Sequence, residues 1–141
     1  MRRLLLAVLV AGCAAPGPTD DRPVDSRREL AGALTARGWF VRPVAFANEL
    51  SVAAAGTAYE VRQQSGDTRT LLVFEAPTDD DGRPDADALD RDLVTLRQQL
   101  AGRAAVFYRR PGLLVVTFPR GRTELDLRLA RLLGPPVDFT E

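Results

Sequence analysis

Carboxylates are the first groups in this chain that could do chemistry. Asp79-Asp80-Asp81-Gly82, with Asp85 and Asp87 close behind, gathers oxygen ligands of the kind a hard cation such as calcium takes. The spacing departs from an EF-hand loop, because Pro77 falls where the first ligand would stand and the later glutamate is missing. Asp79 and Asp81 are the weak metal candidates. A solvated acidic loop that feeds a helix N-terminus is the plainer reading, since aspartates serve turns and caps. Glu75 is the second candidate. It ends an apolar run, and with Tyr108, Arg109 and Arg110 it would make a polar contact site for a ligand or partner. The arginines supply forked donors for a carboxylate or phosphate, and the tyrosine a flat amphipathic surface. An ordinary glutamate–arginine pair is the competing account. Trp39, the single tryptophan, is either a core plug or an exposed interface anchor.

Turnover has few groups to work with. The chain has no histidine and no lysine, so every basic residue is arginine. The commonest general base and metal ligand at neutral pH is therefore absent, as are Schiff-base chemistry and the phosphate-loop lysine. Ser26, Ser51 and Ser65 lack a nucleophile-elbow context and a histidine partner. Glu60 and Glu75 offer carboxylates, but their spacing assigns neither one a raised pKa. The expectation is a protein that is not an enzyme and needs no cofactor. Nineteen basic residues balance 19 acidic ones, with the arginines dispersed rather than striped, which argues against nucleic acid as a partner.

Cys13, the one cysteine, has a different use. Arg2-Arg3, the apolar run Leu4–Val10 and the small pair Ala11-Gly12 precede it in the order of a lipoprotein signal, so Val10-Ala11-Gly12-Cys13 resembles a lipobox. A spanning helix would need about 20 apolar residues, and Pro16 and Pro18 interrupt the run far too early. An ordinary cleaved secretory signal also fits, but it would leave a lone thiol without a purpose in an oxidising compartment. The lipobox implies removal of residues 1–12 as a signal peptide and acylation of Cys13, with palmitate-like chains as a membrane anchor. Residues 13–23, rich in Pro, Gly and Ala, would form a tether reaching roughly 30 Å. Residues 24–141 would form one domain. In double-membrane bacteria an aspartate after the cysteine retains a lipoprotein at the inner membrane. Ala14 in that place points to the periplasmic side of the outer membrane.

The elements that would position these groups follow from periodicity. Ser26 and Glu29 form a capping box for a first helix carrying Leu30 and Leu34, with Gly38 as its stop. An extended segment runs from Trp39 to about Phe46. Residues 47–55 are ambiguous between helix and strand, with the strand preferred. Tyr59–Arg62 and Thr70–Ala76 make a hairpin. Leu89, Leu93, Leu96 and Leu100 mark one face of a second helix that Gly102 ends. Residues 104–109 and 113–118 make another hairpin, with Pro111-Gly112 suited to a type II turn. Leu125, Leu129, Leu132 and Leu133 mark a last helix closed by Gly134. The expected fold is α+β, a mainly antiparallel sheet of four to five strands with helices packed on one face. Leu113–Phe118 is apolar on both sides, so it is either a central strand covered twice or part of a docking face.

Phe107-Tyr108-Arg109-Arg110-Pro111-Gly112, with Leu72-Val73-Phe74-Glu75 before it and Leu132-Leu133-Gly134-Pro135-Pro136 after it, resembles a group of short, uncharacterised bacterial exported lipoproteins. The resemblance covers most of the chain after Leu50 and brings no activity, catalytic residue or cofactor. Together these readings lead to a lipid-anchored cell-envelope protein with a binding or structural role and an envelope protein as partner. A periplasmic binding module for a small anion or calcium is the alternative.

Overall fold

The computed structural model of the chain describes residues 22–139 apart from 46–49, 51, 53, 65, 67, 120 and 122. Local chemistry sets the helix ends. In α1 (Arg27–Ala36) the Ser26 hydroxyl accepts the Glu29 amide at 3.2 Å. The returning half of the expected capping box is shifted by one residue, because the Glu29 carboxylate accepts from the Asp25 amide at 2.9 Å and not from Ser26. Gly38 takes φ 84° and lets the chain leave the helix. Asp85 caps α2 (Ala86–Gln99) by accepting the Ala88 amide at 3.0 Å. Thr123 and Asp126 cap α3 (Glu124–Leu133), and Gly134 ends it at φ 86°.

Five strands complete the fold: β1 (Phe40–Val44), β2 (Ala55–Arg62), β3 (Thr68–Glu75), β4 (Val106–Arg110) and β5 (Leu113–Thr117). They form one antiparallel sheet in the order β1-β2-β3-β5-β4. The α+β class and the antiparallel sheet are as expected. Most of the ambiguous stretch 47–55 lies outside the described residues, and β2 begins at its end, at Ala55.

The helices, expected on one face, divide between two. Leu71, Val73, Leu113 and Val115 point to a core shared with α1, α3 and Trp39, while Leu72, Phe74, Leu114 and Val116 point to a second core under α2. Adjacent strand residues face opposite ways, so the neighbouring unbroken apolar runs Leu71–Phe74 and Leu113–Val116 must be covered twice. Of the two accounts of the strand from Leu113, coverage on both sides is the one observed. Pro111-Gly112 also differs from expectation. Gly112 is not among the glycines with positive φ, so the turn is not type II. Glycine is required there for another reason, since a Cβ would stand 2.9 Å from the Asp25 carbonyl oxygen.

Both sheet edges are interrupted. Pro43 removes a donor from β1, while β4 is covered by the chain after α3, whose Val137 amide donates to the Phe107 carbonyl at 2.8 Å. Phe139 then packs edge-to-face on Phe107 at 5.5 Å between ring centroids, and Arg97 lies over Phe139 at 4.4 Å. One group in the sheet is out of place. Thr117 is fully buried, and its hydroxyl has no hydrogen-bond partner. Replacing an unsatisfied hydroxyl by a methyl of the same shape relieves its desolvation cost, so Thr117→Val is expected to raise the unfolding free energy by about 1 kcal/mol in urea denaturation.

Candidate functional site

The α2 side of the sheet is only half roofed by a helix. Register aligns Val44, Ala58, Leu72, Val116 and Phe107 in one row across all five strands on this side. Leu89, Leu96 and Leu100 of α2 and its C-terminal cap close the core at the β5–β4 end. Over β1 and β2 the sheet carries small residues, Ala54, Gly56 and Ala58, and a cavity of about 680 Å³ opens above Val44, Ala58 and Leu72. Leu50, Leu100 and Phe118 form its walls. Ala58, Leu72 and Leu100 are buried, while Thr70, Gln99 and Arg103 are exposed at its rim.

Two interactions hold this end of the sheet in place. Asp92, 4% exposed, accepts the Ala54 amide at 2.8 Å and so ties the start of β2 to the inner face of α2. Beyond the cavity the same face turns polar, with Arg42 paired to Glu60 at 2.8 Å and Arg62 stacked on Phe40 at 5.6 Å. Arg103 has no carboxylate partner among the described residues.

A smaller cavity of about 360 Å³ lies between β4 and α3, with Tyr108 and Asp126 as its polar groups among Val106, Leu127 and Ala130. Burial, reinforced by the Asp126 carboxylate, pushes the Tyr108 phenol above its ordinary 10.0. Folding therefore favours the neutral phenol. Its contribution is complete below pH 10 and is lost as pH rises through the folded-state value. Tyr108→Phe is expected to flatten the alkaline fall in thermal midpoint while leaving the midpoint at pH 7 little changed.

The residues expected from sequence do not converge. Tyr108 is buried with α3, whereas Arg109, one residue on, faces α2, binding Asp90 at 3.0 Å and the Ala86 carbonyl at 2.8 Å. Arg110 returns to the first face and pairs with Asp25 at 2.9 Å. Glu75 does meet an arginine, but it is Arg27 of α1 at 3.2 Å, while Arg109 and Arg110 are engaged elsewhere. Trp39 is 6% exposed in the core with α1 and α3.

In the acidic loop, Asp79 accepts the amides of Asp81 and Arg83 at 3.0 and 2.8 Å, a turn held by its own side chain. No group of three or more metal-ligating side chains gathers among the described residues. Cys13, Ser51 and Ser65 lie outside them. The cavity residues Ala58, Gln99 and Arg103 escaped the sequence reading, although Ala54, Gly56 and Ala58 at alternate positions signal a strand face with little to fill it.

No family model, curated protein or solved structure matches the chain.

Proposed function

We propose that this is a lipid-anchored protein of the bacterial cell envelope that acts by binding rather than by turnover. The order Arg2-Arg3, Leu4–Val10, Ala11-Gly12-Cys13 carries the first half of the reading. Acylated at Cys13, the chain would sit on the periplasmic side of the outer membrane where there is one, with Ala14 permitting export from the inner membrane. The second half is supported by how the polar groups are used. Glu60, Glu75, Asp25 and Asp90 each pair with an arginine, Asp79 and Asp85 serve backbone amides, and the cavity of about 680 Å³ is floored by aliphatic side chains. No helix among the described residues is long and apolar enough to cross a membrane, and the anchor in this reading is the acyl group alone.

Metabolic labelling with an alkyne analogue of palmitate, followed by membrane fractionation, tests the anchor. Wild-type protein should carry label and sediment with membranes, and Cys13→Ser should lose both. An unlabelled protein in the soluble fraction that still begins at Met1 would refute it.

A further inference from the structure

We propose that the cavity over Val44, Ala58 and Leu72 binds an amphiphile whose hydrocarbon part lies on the sheet and whose anionic head meets Arg103. This deepens the binding role proposed above and names its ligand class. It does not depend on acylation of Cys13.

Three observations carry it. The cavity, at about 680 Å³, falls in the range that encloses whole small molecules. Its floor and walls, Val44, Leu50, Ala58, Leu72, Leu100 and Phe118, present carbon to the occupant. A hydrocarbon leaving water gains free energy there in proportion to the area it hides.

Charge is then one-sided. Among the described residues the rim groups are Thr70, Gln99 and Arg103, hydrogen-bond donors with a single cation and no carboxylate. Several arginines elsewhere meet carboxylates, as in Arg27–Glu75, Arg42–Glu60, Arg109–Asp90 and Arg110–Asp25, while Arg62 and Arg97 stack on phenylalanine rings. Arg103, at the mouth of this cavity, has no carboxylate partner among the described residues. A carboxylate or phosphate supplied by the ligand complements it, and the guanidinium fork suits either group.

The cavity also explains the small side chain at position 58. Ala58 is 3% exposed between Val44 and Leu72 in the row, where a larger side chain would fill the space itself.

The test is calorimetric titration of the full chain carrying Cys13→Ser, which keeps the anchor's own acyl group out of the measurement. Laurate, dodecyl phosphate, dodecanol and dodecylamine are used below their micellar concentrations. The first two arms separate a fatty acid from a phosphorylated lipid as the source of the anionic head. At least one of the two should bind about tenfold more tightly than the alcohol and the amine. Arg103→Gln, an exposed change, should erase that preference while leaving weak uptake of all four. Ala58→Leu should abolish uptake without lowering the thermal midpoint. If it does not fold, Arg103→Gln still decides. Absence of binding, or equal binding of all four probes that Arg103→Gln leaves unchanged, would overturn the proposal whether or not Cys13 proves to be acylated.

Discussion

Phe74→Ala is expected to lower the unfolding free energy by about 3–5 kcal/mol, measured by urea denaturation with Trp39 fluorescence as the probe. Phe74 is fully buried in β3, beneath α2. Its register partners are Leu114 on β5 and Gly56 on β2, and Gly56 has no side chain to move into the space that a truncated ring would leave. The cost therefore combines lost transfer free energy with an unrelaxed void, and it belongs in the upper part of that range. Leu127→Ala is the matched control. Leu127 is 46% exposed on α3, so its truncation should change stability by about 0.5 kcal/mol or less. A Phe74→Ala protein nearly as stable as the parent would mean that α2 does not close a true core on its side of the sheet.

Gly112→Ala should cost about 1–3 kcal/mol, for a reason foreign to its turn. The added methyl would meet the Asp25 carbonyl oxygen at 2.9 Å and the Pro84 ring at 3.5 Å, and a backbone oxygen cannot step aside as a side-chain tip does. Asp25 is fixed from two directions, since the preceding Val24 amide donates to the Leu132 carbonyl at 3.0 Å and the Asp25 side chain holds Arg110 at 2.9 Å. Displacing it should loosen the whole N-terminal strap. Hydrogen exchange separates this from generic destabilisation. The Val24 amide should exchange much faster in Gly112→Ala, out of proportion to the global loss. Gly38→Ala, where φ is 84° and the methyl meets nothing within 4 Å, should cost about 1 kcal/mol through backbone strain while leaving Val24 protected relative to its own global stability. Equal protection of Val24 in the two variants would refute the clash.

The contrast between these glycines shows which parts of the fold were legible beforehand. Helix ends were, because a cap is chemistry among near neighbours: Ser26, Gly38, Asp85 and Gly134 act within a few residues of themselves. Helix faces were legible from leucine spacing. Which side of the sheet each helix would take was not evident, since it depends on distant strands stacking side by side. The double apolar pattern of Leu113–Thr117 held the clue. The grouping of Tyr108, Arg109 and Arg110 failed on a point the sequence did contain, because the two-residue period of a strand sends Arg109 away from its neighbours. Glu75 meeting Arg27, and Asp92 reaching the Ala54 amide, join segments 48 and 38 positions apart, and local pattern is silent at that range. The cavity was hidden for the same reason. Its walls come from three strands, a helix end and two loops, and only the run of small residues on β2 hints at empty space.

The flanks of the sheet carry a last consequence. A strand with a free outer side is a template on which a second copy of the chain can grow. Here the proline at position 43 leaves a gap in one template, and the stretch around Val137 already occupies part of the other. Neither flank presents an unbroken row of donors and acceptors, which disfavours edge-to-edge stacking into fibres.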